Sequence, residues 1–422
     1  MRCVVKGEAV AATDADATRS NRLPMYSLLA ANTISLIGSS FTVVALPWFV
    51  LQTTGSASKA GLVGLSVALP RILAGVFGGT IVDRLGLKQT SVAADAISGA
   101  SVALIPLLYH TVGLAFWQLL SLVFVGNLLN IPGTTARRAI LPELAELAQI
   151  RLERINSAFE SIQYLSRLLG APLAGLLIAL LGSVYVLWID AATFVISAVL
   201  VGALVPTAAS LPVAARAEGY WRQLAAGFRF LRNDRVLFWM AIALLISNAF
   251  GLALVPVILP VYADQFLGSA TALGLMVSAI GVGGVIGSCV YGAVAYRLPR
   301  RTIWLLAFLV APLEYWVLLA HPPLFVIIAA LIIVGLAFGP FNPVMVTIRQ
   351  ERVPLAMRGR VFSLFSAMSL AAQPLGMAFA GFAIEAVGFN LTVLLFAIAL
   401  QGLSVVLLFI PTLRDMDATK AP

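Results

Sequence analysis

Charge is scarce in this chain: Lys, Arg, Asp and Glu make up 11% of its 422 residues, against 61% hydrophobic types. Soluble domains average about 25% charged and about 45–50% apolar residues. That shortage, with a mean hydropathy of +1.00, excludes a water-soluble protein. Cysteine occurs twice, at Cys3 and Cys289, and histidine twice, at His110 and His321. Neither a disulfide framework, a cysteine zinc site nor a histidine-rich metal centre can be built from so few ligands, so no metal and no cofactor are expected. No Walker loop or nucleophile–base cluster is visible, which argues against an ATP-driven pump and against a membrane-embedded enzyme. The first 22 residues lack the apolar core of a signal peptide and read as a cytosolic tail. The net charge of +9 comes without a basic patch interleaved with aromatics, so no nucleic-acid partner is expected.

What the chain does have is apolar runs. A bilayer core of about 30 Å needs about 20 mostly apolar residues per helix. Twelve runs qualify, near 25–51, 59–82, 89–110, 114–134, 156–181, 184–205, 237–263, 271–295, 302–320, 323–346, 361–386 and 389–411. The joining segments alternate in basic content. One set carries Arg84 and Lys88, then Arg137, Arg138, Arg151 and Arg154, then the arginines of 216–235, of 297–301 and of 349–360; the other set carries only Lys59. By the positive-inside rule the rich set is cytoplasmic, which places both termini inside. The longest connection contains YWRQLAAGFRFLRNDR, with Trp221, Leu224, Phe228 and Leu231 at helical spacing, and is expected to be an amphipathic helix on the cytoplasmic membrane surface.

The chain also repeats itself. A shift of 213 residues aligns Gly38 with Gly251, Pro47 with Pro260, Gly55-Ser56-Ala57 with Gly268-Ser269-Ala270 and Gly79 with Gly292. Shared hydrophobicity does not explain paired Gly and Pro in one register. The expected architecture is all-α and polytopic, twelve transmembrane helices in two pseudo-symmetric six-helix bundles. The expected boundaries are a tail over 1–22, an N-terminal bundle over 23–205, a linker over 206–236, a C-terminal bundle over 237–412 and a second tail over 413–422.

These motifs bring a family into view. Gly79-Thr80-Ile81-Val82-Asp83-Arg84-Leu85-Gly86-Leu87-Lys88 is similar to the loop signature between helices 2 and 3 of the major facilitator superfamily, with Leu87 departing from the usual basic residue and Lys88 supplying the charge. ISLIGSSFTVVALPWFVLQTTGSA, LPRILAG, AAD ending at Asp95, INSAFESIQ through GAPLAG, WIDAATFVISA and RGRVFSL resemble its drug-efflux branch, which includes macrolide exporters and the enterobactin exporter. The resemblance implies the major facilitator fold and proton-coupled export across the bacterial inner membrane. It also implies a gating role for Gly79, Asp83, Arg84, Gly86 and Lys88, with Asp83 latching onto the start of helix 11 beside Arg358 and Arg360. An acid there would meet a helix dipole and two guanidiniums. The competing reading is a loop whose charges only set topology.

Charges inside the bilayer cost at least about 2.5–3.5 kcal/mol each and need a partner, a wet cavity or a function. Arg71 falls mid-span 2. Glu160, Gln163 and Arg167 share one face of span 5 and form the leading candidate for a cavity wall, with an ion pair between Glu160 and Arg167 as the structural alternative. Asn32, Ser35, Ser39 and Thr42 make a weaker polar stripe on span 1. Asn32, Arg71, Glu160, Gln163, Arg167 and Asp190 are therefore the substrate-binding or proton-coupling candidates, with Glu160 and Asp190 as the leading carboxylates. Asp95, Asp190 and Glu314 also read as packing or topology anchors, Asp190 with a possible arginine partner, and the C half shows far fewer buried charges. GAPLAG, with Gly170, Pro172 and Gly175, is a hinge candidate or a simple kink, whereas Gly281, Gly283, Gly284 and Gly287 read as close helix packing rather than a nucleotide fingerprint. The expected partners are an amphiphilic drug-like or natural-product cargo, protons and the lipid bilayer, with a monomer as the expected state. The rival functions are an uptake symporter or facilitator of the same fold, and a non-transporting receptor or membrane enzyme.

Overall fold

Long apolar stretches without interior charge have one solution in lipid, which is to bond every backbone amide within the segment. The computed structural model describes residues 21–207, 220–294 and 299–417, and every regular element among them is helical. The expectations for most of the N-terminal tail, for much of the linker and for Tyr296 in the second copy of the loop signature lie outside the described residues.

Among the described residues, twelve helices are long and apolar enough to cross a membrane. In chain order they are α1 (Leu23–Thr54), α2 (Ala57–Leu85), α3 (Leu87–Thr111), α4 (Phe116–Ala148), α5 (Leu152–Leu181) and α6 (Ser183–Leu204). Then come α7 (Arg235–Leu267), α8 (Ala270–Val294), α9 (Arg300–Leu319), α10 (Leu324–Arg352), α11 (Leu355–Val387) and α12 (Phe389–Phe409). A linker helix, Tyr220–Asn233, precedes α7. Its Leu231 is buried in the core of the C half while Phe228 is half exposed. The face carrying the start of α1 and the end of α12 is called here the terminal face, and its opposite the far face.

The internal repeat is written into the turns. Gly55 and Gly268 end α1 and α7 with φ of +63° and +58°, a left-handed conformation that costs glycine little. Ser56 and Ser269 follow and cap the next helix in the same way, accepting from Lys59 N at 3.1 Å and Ala272 N at 3.2 Å. The copies diverge inside α7, where residues Leu254–Ile258 and Ala263–Leu267 widen into π-helical turns. Pro256 and Pro260 remove two amide donors there, whereas α1 contains only Pro47 at depth.

Several spans run longer than their apolar stretches. The fourth was expected near 114–134, but helix continues to Ala148, and the tenth continues to Arg352. In both, the polar continuation keeps helical hydrogen bonds and packs an apolar edge, with Ile140, Leu141 and Leu144 of α4 buried beside Met25 and Leu28 of α1.

Candidate functional site

Polar groups inside the N half gather into two clusters. The first lies near the terminal face, where α3 carries Ser91, Asp95 and Ser98 on one buried face. Asp95 stands eight residues into α3, about 12 Å along the axis at 1.5 Å per residue. Arg137 of α4 forms an ion pair with it, and both side chains are almost fully buried, at 4% and 5% exposure. Ser197 of α6 donates to the same carboxylate at 2.6 Å and Ser35 of α1 at 3.4 Å. Arg137 also donates through Nε to Ser91 at 2.9 Å and through Nη1 to Asn32 Oδ1 at 3.4 Å. Four helices thus meet on one charge pair. Asn32 is 1% exposed, and its Nδ2 has no hydrogen-bond partner among the described residues.

This cluster corrects one expectation. Arg137 was assigned to a cytoplasmic loop, but α4 carries it back inside the bundle. Within the polar stripe of Asn32, Ser35, Ser39 and Thr42, the partners of Asn32, Ser35 and Thr42 are Arg137, Asp95 and Asp190 inside the bundle, and Ser39 donates to Ser35 O of its own helix.

The second cluster lies deeper. Asp190 of α6 is fully buried and accepts hydrogen bonds from Thr42 of α1 and from Thr193 one turn on. The arginine partner considered for it is absent among the described residues. Gly38 of α1 lies directly against Asp190 and Thr193, so a Cβ there would collide with both side chains. The glycine is what lets α1 approach a carboxylate this closely.

Glu160 pairs with Arg138 at 2.8 Å, and both side chains are about half exposed. Arg138 also sits over the Phe159 ring at 5.5 Å. Gln163 and Arg71 are half buried. The side chain of Arg167 lies outside the described residues, so the proposed face can be described only at Glu160 and Gln163.

The C half is less empty of charge than expected. Asp234 and Arg352 form a buried ion pair at 3.4 Å, each 6% exposed, and Asp234 also caps α7 by accepting from Val236 N and Leu237 N at 3.1 Å. Both residues had been assigned to linker or loop. Glu314 of α9 is buried without a hydrogen-bond partner among the described residues.

The halves meet through α2 with α11, α5 with α8, and α1 and α2 with α7. Small residues set two of these crossings. A Cβ on Gly175 of α5 would stand 2.7 Å from Ala270 O and 3.0 Å from Gly274 Cα of α8, and one on Gly61 of α2 would stand 2.7 Å from Met377 O of α11. At the far face, Glu385 near the end of α11 accepts from Ser56 Oγ and from Ser58 N at 3.0 Å, so an acid of the C half caps a helix of the N half. Gln52 of α1 donates to Asp264 of α7 at 2.8 Å.

Two internally repeated six-helix halves joined across α2–α11 and α5–α8 form a recognisable arrangement, and comparison with known proteins agrees. The model of the transmembrane secretion effector family, a branch of the major facilitator superfamily, matches residues 22–422. The chain belongs to that family. It is 35% identical over 402 residues to the multidrug efflux pump Tap of Mycobacterium tuberculosis, covering 94% of this chain and 96% of that one. Macrolide efflux protein A of Streptococcus pyogenes is 23% identical over 401 residues, covering 94% and 98%. In three dimensions the chain resembles the nucleoside transporter NupG, with a TM-score of 0.74 at 17% identity over 95% of this chain and 100% of that one. The protein is thus a multi-pass membrane transporter of small molecules and not an enzyme.

Within this major facilitator transporter the loop signature occupies the α2–α3 turn. Gly86 has φ of +84° and its N–H bonds to Val82 O at 2.9 Å, so glycine there both ends α2 and starts α3. Arg84 is exposed and Lys88 half buried. The side chains of Asp83, Arg358 and Arg360, and the surroundings of Gly79, lie outside the described residues. In GAPLAG, Gly170 lies against Ser40 of α1 and Gly175 against α8, with Pro172 between them. The glycines of α8 pack on α10, with Gly283 and Gly287 against the backbone of Ile332, Gly335 and Leu336.

Sequence reasoning missed Arg137 and Glu385. The signal for Arg137 was Asp95, a membrane acid whose cost demanded a cation. For Glu385 it was its place at the far end of a span, level with the capping Ser56 of another.

Proposed function

We propose that this transporter exports an amphiphilic drug-like or natural-product molecule by alternating access, in exchange for protons, with both termini in the cytoplasm. The relatives named as multidrug and macrolide efflux proteins support the cargo class and direction. The charge asymmetry of the connecting segments supports the orientation.

The observation that carries proton exchange is Asp190. It is a fully buried carboxyl in the middle third of the N half, held only by two hydroxyls among the described residues. A membrane acid without a counter-ion marks a place where a proton can bind and leave as access alternates. Thr42 links it to α1, so a change of proton occupancy is felt by a helix that also touches α7 and α8 of the other half. Glu160 and Gln163, with Arg138, offer polar contacts for cargo, and Arg71, Asn32 and Arg167 complete the candidate set. Asp83 with Arg358 and Arg360 would latch the cytoplasmic ends, and the Gly170–Pro172–Gly175 stretch would serve as the hinge.

The test is transport in inverted membrane vesicles under an imposed proton gradient, with a macrolide, a tetracycline, a cationic dye and a siderophore as cargoes. Accumulation of at least one, lost in Asp190→Asn, is expected. Gradient-driven accumulation that persists in Asp190→Asn removes Asp190 from coupling, and no gradient dependence for any cargo removes proton exchange.

A further inference from the structure

At the terminal face α1 and α5 diverge and leave a cavity of about 460 Å³. Its rim carries Arg22, Arg151 and Arg154, and none of the described residues lining it is acidic. Neither Arg22 nor Arg154 has a carboxylate partner among the described residues. Arg151 is also the N-cap of α5 and places no side-chain acceptor on the first amides, so a thirty-residue helix directs its positive end at the same opening. Below the rim the walls become apolar, with Leu29 from α1 and Ile155 and Ala158 from α5.

The direction in which the cavity opens decides what it can hold. On α5, Arg154 and Ala158 stand 11 residues before Leu165 and Leu169, a spacing that returns to nearly the same helix face. Leu165, Leu169, Leu176 and Leu180 are 46–70% exposed and continue that face to the far end of α5. In a helix that crosses the bilayer such a stripe faces lipid. Glu160 and Gln163 lie on the other side of α5, away from it. The cavity is therefore a basic cup at the membrane boundary, open to lipid and continuous with an apolar track.

We propose that this cup is a binding site for the headgroup of an anionic phospholipid, with its phosphate between Arg22, Arg154 and the amino end of α5 and an acyl chain along the leucine stripe. Charge complementarity and the shape of the groove agree on this ligand, since a soluble anion would use the rim but not the track. Occupancy would tie the start of α1 to the start of α5, two helices that both contact the other half.

The test is native mass spectrometry of the full-length detergent-purified protein with phosphatidylglycerol, phosphatidylcholine of the same chains, or inorganic phosphate. Preferential retention of phosphatidylglycerol is expected. Each arginine removed should weaken it about fivefold, so Arg22→Gln/Arg154→Gln should lose about 25-fold, whereas Arg232→Gln on the linker helix should change nothing. Ala158→Phe, which fills the cup and keeps its charge, should lose retention too. Equal retention of the two lipids, or an unchanged double variant, overturns the proposal. Displacement of phosphatidylglycerol by millimolar phosphate assigns the cup to a soluble anion instead. Deletion of residues 1–20, which carry Glu8, Asp14 and Asp16 alongside Arg2, Lys6 and Arg19, should leave retention unchanged; a several-fold gain would make a carboxylate of that segment the occupant and overturn the lipid.

Discussion

Removing Arg137 should unfold this protein more readily than almost any other single charge change. The guanidinium is 4% exposed and is the ion-pair partner of Asp95, whose other contacts are the Ser197 and Ser35 hydroxyls. Arg137→Met leaves a carboxylate with two neutral donors inside a four-helix junction. Breaking a buried pair from one side costs about 3–5 kcal/mol, because the remaining charge keeps its desolvation penalty and loses its compensation. Asp95→Leu should cost a similar amount for the mirror reason. The double variant Asp95→Leu/Arg137→Met removes both charges at nearly constant volume, and the freed serines can turn to their own i−4 carbonyls as Ser39 and Ser40 already do. It should therefore recover at least about 3 kcal/mol relative to either single variant. The assay is denaturant titration in a mild detergent followed by tryptophan fluorescence, with all four proteins of the cycle measured together. An Arg137→Met variant within about 0.5 kcal/mol of wild type would refute the reasoning, and so would a double variant that loses the sum of the two singles.

Three further outcomes follow from other parts of the molecule. Asp83→Asn should insert into the membrane at wild-type levels yet lose most export in a whole-cell efflux assay; wild-type flux would return the α2–α3 loop to a purely topological role. Gly274→Val places branched carbons where a single Cβ would already stand 2.5 Å from Ala171 O and 3.0 Å from Gly175 Cα, so it should hold α5 and α8 apart at the far face. Cargo flux should fall at least tenfold with folding retained by size-exclusion profile, and normal flux would show that this crossing need not close. Glu385→Gln keeps size but weakens a charge-assisted cap on α2, and should widen the Ser56 to Glu385 region in spin-label distance distributions. An unchanged distribution would mean that the glycine crossings alone hold the seam.

Much of this architecture was legible before any coordinates, for a reason particular to membranes. Each span must be apolar over about 20 residues and must bond its own backbone whatever its neighbours are, so span number and order are local properties. The same is true of the repeat, since Gly55 and Gly268 mark left-handed helix ends that a side chain would strain, and Ser56 and Ser269 mark the caps behind them. Asp95, Asp190 and Glu314 were also identifiable as costly acids from their positions alone. Their partners were not. A helix does not end where its apolar stretch ends, so Arg137 and Arg352, counted as loop charges by composition, ride helical continuations into buried ion pairs. The Asn32–Ser35–Thr42 stripe has a helical period that shows it shares a face but not which neighbour receives it. Only the packing of α1 against α4 and α6 turned it inward, where those hydroxyls and that amide offset part of the hydration that the buried carboxylates and guanidinium have lost.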